Sequence, residues 1–311
     1  MPKKFWLKLT LLFFCGRLLA AQTIPQAMFE NGWPQKLKEI PSAEGSLLVE
    51  WVVRGLNQPR SAVWVPLRSV STGYTMPYSV SAPPLSAPFS SGGAWLISEE
   101  KGGLWVLYQE VLYPLRGLPQ DVVQLGAGGF FDLLYNPWVG LIFLSYAKQI
   151  NATLSTVSVV SFHLRYKPEQ FLAGNVQEVF RAIPPLRRPL GYGGSLSATQ
   201  EFLYVGLGGG NHPLGDGAER VQDWGSVIKI GLREKQFFRA DSLPTAGNSS
   251  TPSVSRVSTG HGDIYDLSWD PERKFLWSVE QLRQVDATVV SDELNWVREG
   301  AHYGWGGGEG R

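Results

Sequence analysis

Four segments of the chain share one pattern, and it restricts the fold more than any other feature. "SAVWVPL" begins at Ser61, "DLLYNPWVGLIFLSYA" at Asp132, "SLSATQEFLYVGLGG" at Ser195 and "DLSWDPERKFLWSVEQ" at Asp266. Each reads as strand, tight turn, strand and a longer excursion, with starts about 60–70 residues apart. A single unit of this kind cannot bury both faces of its own sheet. Stacking the units radially around an axis does so, which predicts an all-β chain folded as a β-propeller of about four blades. A two-sheet sandwich is the alternative.

The rest of the sequence agrees with an all-β reading. Val, Ile, Leu, Trp and Tyr dominate short runs at 94–98, 104–107, 141–146, 156–164, 202–206, 226–230 and 276–279, as buried strands require. No long amphipathic helix is evident; 167–172 and 293–299 carry at most one or two helical turns. Ser, Pro and Gly crowd 71–93 and 241–259, which read as loop insertions. A net charge of +1 and a pI near 7.8 leave no electrostatic footprint for nucleic acid.

The first 21 residues have a different character. Lys3, Lys4 and Lys8 precede a short apolar run from Leu9, and Ala20 and Ala21 offer a cleavage site, so 1–21 reads as a signal peptide. A membrane anchor is the other reading, but Arg17 interrupts the run and it is too short to span a bilayer. Export to the periplasm or outside the cell is expected, with no later transmembrane segment. The one cysteine, Cys15, lies in this leader, so the mature chain has neither a disulfide nor a thiol nucleophile. Residues 22–48 then form a lead-in to a propeller domain over 49–311. Two N-x-S/T triplets, at Asn151 and Asn248, match the glycosylation acceptor pattern, which also arises often by chance.

A series of motifs carries a family resemblance. "RGLNQPRSAVWVP", "GAWLISEEKGGLWVL", "GLPQDVVQLGAGGFFDLLYNP", "IFLSYA", "YGGSLSA", "WGSVIKI", "GHGDIYDLSWDP" and "DELNWVREGAHYGW" occur in that order. Together they resemble the soluble quinoprotein glucose/sorbosone (aldose sugar) dehydrogenases over roughly residues 50–305. The resemblance implies a six-bladed propeller, pyrroloquinoline quinone (PQQ), Ca²⁺ and oxidation of a sugar's anomeric hydroxyl. It also implies that the family continues for two further blades beyond the residue matching Arg311. The same domain occurs in extracellular binding proteins without oxidoreductase activity.

That oxidation needs a base for the hydroxyl proton and a cation for the charge that develops. The stretch matching the family's G-x-H-F-G-G-R-L is "PLGYGGSL", which puts Gly191 at the base position and Ser195 at the arginine. Tyr192 is the neighbouring candidate for contact with the cofactor. His212, in "GGGNHPLG", is a substitute base or a solvated loop histidine. "GAGG" keeps the turn of the family's GQGG loop, with Ala127 in place of glutamine and Gly128 beside it. "GHGD" keeps His261 but replaces the arginine–asparagine pair with Gly262 and Asp263. Asp263 is thus an alternative base, with His261, or the start of an ordinary Asx turn. In "VEQLRQVDATVVSDELN", Glu280 and Gln281 match the start of the cofactor's calcium loop, with Leu282 and Arg283 where the family has Gly-Pro. Asp292, Glu293 and Tyr303 match a further part of the pattern and read as blade anchors or as ligands of a structural calcium. The 12 tryptophans suggest sugar stacking, but Trp95, Trp105 and Trp277 lie at strand positions expected in the core, leaving Trp138 as the exposed one.

Two functions follow from these residues. One is a PQQ-dependent aldose dehydrogenase with impaired or lost catalysis. The other is a non-catalytic exported propeller that binds a sugar or protein partner on its loop face.

Overall fold

The structure is a computed structural model that describes residues 35–42, 45–51, 53–67, 92–109, 111–167, 170–187, 189, 191–209, 223–232, 253–283 and 290–304. The chain divides into two compact units, 1–54 and 55–311. In the first, β1 (Gln35–Ser42) and β2 (Gly45–Trp51) form an antiparallel hairpin.

The second unit is a series of antiparallel meanders. The first consists of β3 (Pro59–Pro66), β4 (Gly93–Glu99), β5 (Leu104–Tyr108) and β6 (Val111–Arg116). Next come β7 (Phe130–Asn136), β8 (Leu141–Gln149), β9 (Leu154–Lys167) and β10 (Gln170–Arg181), with β11 (Leu186–Arg187) added along β9. A third contains β12 (Gly193–Ala198), β13 (Phe202–Leu207), β14 (Ser226–Gly231) and β15 (Val254–Thr259). The last holds β16 (Asp263–Asp270), β17 (Phe275–Arg283) and β18 (Val290–Val297). A short parallel pairing of Phe171–Leu172 with Leu115–Arg116 joins the outer edges of the first two meanders. The first strands β3, β7, β12 and β16 pack side by side in that order. Successive meanders set inner strand against inner strand are the blades of a β-propeller.

Core packing explains the continuous apolar runs. In β8, Leu141, Phe143 and Ala147 enter the core shared with the third blade, while Ile142, Leu144 and Tyr146 enter the core shared with the first. The period of two is intact, but both faces are covered, so the strand reads as a nearly continuous apolar stretch broken only by Ser145. β13 divides likewise, with Leu203, Val205 and Leu207 facing the second blade and Tyr204 the fourth.

All seven predicted runs are strands, and each of the four repeat segments supplies the inner strand of a blade. Three expectations are corrected. Lys167 ends β9, 170–172 begin β10, and 293–297 lies in β18; pairing with β9 and β17 outweighs any local helical tendency. Val254–Thr259, expected to be the end of a loop, is β15, a mostly polar edge strand held by its ladder to β14. Among the described residues no helix is long and apolar enough to cross a membrane.

The inner strands are tied together by one carboxylate. Asp132 Oδ1 accepts from Ser61 Oγ at 2.7 Å and from Leu133 N at 2.8 Å, and Oδ2 accepts from Leu196 N at 2.8 Å. Strands β3, β7 and β12, from three blades, therefore meet on one side chain. Asn136 Nδ2 donates to Thr199 O at 3.2 Å, and Ser197 Oγ accepts from Trp269 N at 3.0 Å, continuing the ties to β16. Burial pushes the Asp132 carboxyl above its ordinary value; bonds from Ser61, Leu196 and Leu133 pull the other way, and Asp266 adds repulsion. With the folded value raised, the contribution of this group to stability declines as pH rises from 3.8 through the folded pKa.

Asp132→Ala strands three donors and is expected to destabilise the fold by about 2–4 kcal/mol, against about 1 kcal/mol for Ser61→Ala. A double-mutant cycle by chemical denaturation should give a clear coupling between the two; strict additivity would remove the strap.

Candidate functional site

At the end of the propeller where β12 and β16 begin, backbone segments from four places converge. Gly208 N donates to Tyr192 O at 2.9 Å, Gly209 N to Gly262 O at 2.8 Å, Gly225 N to Gly208 O at 2.9 Å and His261 N to Gly225 O at 3.0 Å. Asp263 stands among them, 9% exposed, and its Oδ1 accepts from Gly193 N at 3.1 Å. A Cβ at Gly191 would lie 2.7 Å from Asp263 Oδ2, and one at Gly208 would lie 2.6 Å from Oδ1. The approach is possible only because both positions lack side chains. The structure thus brings together residues 191 and 263, far apart in sequence, and sets the carboxylate in the space a side chain at 191 would occupy.

His261 has no exposed surface, and both its ring nitrogens are engaged: Nε2 with Ser258 Oγ and Nδ1 with Glu280 Oε1, each at 2.7 Å. Tyr303 stacks on its face, with centroids 4.4 Å apart. The ring is a buried strut between β15, β16 and β17, with no surface from which to take a substrate's proton. Glu280 is the hub. Its carboxylate also accepts from Ser278 Oγ at 2.5 Å, Gly262 N at 3.1 Å and Asn295 Nδ2 at 3.1 Å. Burial raises the Glu280 carboxyl, but the hydrogen bond and charge of His261 and the bonds from Ser278 and Asn295 outweigh it, so its pKa lies below the ordinary value.

The other expected residues are dispersed. Tyr192 is buried, its hydroxyl 2.7 Å from Ser155 Oγ and its ring tilted against Phe131 at 5.3 Å, and burial pushes its phenol up. Ala127 packs on the core shared by the second and third blades. Gly128 is pressed on Val123, and Gly129, at φ +117°, lies so close to Glu100 O that a Cβ would meet it at 1.5 Å. Packing at Gly128 and Gly129 and the positive φ of Gly126 and Gly129 therefore account for the three glycines of the "GAGG" turn. Gln281 Oε1 accepts from Tyr265 Oη at 2.8 Å. On β18, Asp292 is exposed, and Glu293 Oε2 accepts from Asn295 Nδ2 at 3.2 Å within its own blade. Tyr303 Oη donates to Trp296 O at 2.5 Å and accepts from Arg298 N at 2.9 Å, so its hydroxyl is engaged by its own loop. No group of three or more His, Cys, Asp or Glu placed to hold a metal occurs among the described residues. His212 lies outside the described residues. Trp138 is exposed, as expected, and so is Trp296.

Sequence reasoning missed Asp132 and the extent of the Glu280 network. Asp132 had a signal, since it opens a repeat unit at the position held by Ser61, Ser195 and Asp266 in the others. The network had little, because its members are spread over 258–295 and only the β-ladder gathers them.

Comparison with known proteins agrees with this architecture. The family profile described as glucose/sorbosone dehydrogenase matches residues 81–308. The chain belongs to that family. No curated protein matches it in sequence. Among solved structures, the glucose/sorbosone dehydrogenase fold is similar to the soluble aldose sugar dehydrogenase of Escherichia coli in its apo form. The TM-score is 0.56 at 22% identity, over 80% of this chain and 63% of that one. A protein titled glucose dehydrogenase gives a TM-score of 0.56 at 20% identity, over 88% and 65%. A putative oxidoreductase (glucose dehydrogenase) from Thermus thermophilus gives 0.54 at 22%, over 84% and 67%. The chain therefore spans a little under two thirds of the length of the first two.

Gly191→Ala and Gly208→Ala should each destabilise the fold by about 1–3 kcal/mol through overpacking. Asp263→Ala should relieve the first but not the second, because a Cβ at 208 would also lie 2.7 Å from Gly191 O. Equal relief in both would contradict the arrangement. Glu280→Gln should cost about 3 kcal/mol at neutral pH. With its folded pKa depressed, Glu280 stabilises the protein above its unfolded value of 4.5, and this is lost as pH falls through the folded pKa. Denaturation across that range should show a shallower acid limb in the variant than in the wild type.

Proposed function

We propose that this chain is an exported propeller of the glucose/sorbosone dehydrogenase family that binds a sugar at its loop end, with the family's proton-abstraction chemistry impaired or lost. The observation that carries the reading is the Asp263 carboxylate standing 2.7 Å from where a Cβ at Gly191 would be. The position that matches the family base has no acceptor of its own, and an acidic group from another blade fills its space. A carboxylate at such a place suits the hydroxyls of a neutral sugar.

The quinone that the resemblance implies is a polyanion, and its fit can be judged from the same residues. The converging segments 191–194, 208–209, 225 and 260–263 contain no lysine or arginine, and their one carboxylate would repel it. These residues do not fit pyrroloquinoline quinone, and no step is assigned to it. A second reading keeps oxidation and gives the hydroxyl proton to Asp263, which the same placement favours.

Thermal unfolding of the full mature chain distinguishes the two. The proposal expects no melting shift with pyrroloquinoline quinone and Ca²⁺ and no dye reduction with aldoses. It also expects a saturable shift with a binding aldose that weakens in Asp263→Ala. Turnover abolished by Asp263→Asn would overturn it in favour of the second reading.

A further inference from the structure

One sequence motif is not absorbed by any of this. Asn151-Ala152-Thr153 forms the exposed tip of the hairpin between β8 and β9. Asn151 Oδ1 accepts from Thr153 N at 2.9 Å, Leu154 N at 2.8 Å and Thr153 Oγ1 at 3.2 Å. This is an Asx turn closed by the threonine hydroxyl. The amide nitrogen Nδ2 makes no hydrogen bond among the described residues and sits on an exposed turn. Ile150 N and Asn151 N both donate to Leu154 O, at 2.9 and 3.3 Å, so the tip is held from below and needs no other segment to shape it.

We infer that Asn151 is an N-glycosylation site. An acceptor asparagine must be accessible, and its poorly nucleophilic amide must be oriented by the hydroxyl two residues on; both conditions are met in this turn. In the transfer, Asn151 Nδ2 forms a bond to the anomeric carbon of a lipid-linked oligosaccharyl pyrophosphate. The bond from that carbon to the pyrophosphate oxygen breaks, the lipid pyrophosphate leaves with the electron pair, and the amide proton passes to a base of the transferase. No oxidant or reductant is involved. The inference rests on export through a glycosylating secretory route, and it goes beyond the function proposed above.

The position gives the modification a consequence. Ser155 pairs at the foot of the same hairpin, and its Oγ lies 2.7 Å from Tyr192 Oη, next to Gly191. A glycan on Asn151 therefore grows from the end of the propeller that carries Asp263, and it restricts which macromolecules can approach that end.

The test is expression of the full chain with its own leader in eukaryotic secretory cells, followed by peptide mapping before and after enzymatic release of N-glycans. The expected result is a glycan on Asn151 in the wild type and in Asn248→Gln, and none in Asn151→Gln or Thr153→Ala. Thr153→Ala keeps the backbone bonds to Asn151 Oδ1, so its secretion with an unmodified Asn151 separates loss of the acceptor from loss of the fold. Thr153→Ser should restore occupancy. Secreted wild-type protein with an unmodified Asn151 overturns the acceptor geometry. Failure of the chain to enter the secretory route overturns the export on which the inference rests, and neither result bears on sugar binding at Asp263.

Discussion

A propeller needs its inner strands fixed at a set spacing, since every blade-to-blade core is aligned by them. Here that constraint falls on the half-buried carboxylate of Asp132, which takes donors from β3, β7 and β12 at once. Directional bonds to a charged acceptor specify a geometry that apolar packing alone leaves loose. The cost is visible in the same group, because burial works against its ionised form and Asp266 adds to the opposition. The apolar cores on either side of the second blade supply the burial, and the carboxylate sets the alignment at which they pack.

Much of this fold can be read in the sequence, for a physical reason. The repeat marks inner strands, where one environment recurs around an axis, so Ser61, Asp132, Ser195 and Asp266 open segments that resemble one another. Outer strands have no such shared surroundings. β10, β15 and β18 meet more solvent and carry more polar residues, and they are strands because a neighbour's ladder holds them. Only the three-dimensional pairing shows that Val254–Thr259 belongs to a sheet and that the "DELNW" segment is extended.

The site was legible as a set of positions and not as an arrangement. The resemblance sets Gly191 against the family's base and Asp263 against a neighbouring position, but 72 positions separate them. That the acid fills the space beside the glycine is a property of the blade-to-blade contact. His261 shows the converse. Its sequence context suggests chemistry, whereas burial, two hydrogen-bonded nitrogens and the stacked Tyr303 make it part of the frame. Burial and bonding make His261 part of the frame, whereas the absence of a side chain at Gly191 leaves room for Asp263.

In the function proposed above, the Asp263 carboxylate takes the place of a base at position 191. A crystal structure of the full mature chain, grown with pyrroloquinoline quinone and Ca²⁺ at saturating concentration, would reveal which group stands there. The expected result is Asp263 held against Gly191 and Gly208 with no quinone above them. An ordered quinone over Gly191, with Asp263 turned away from it, would overturn that placement.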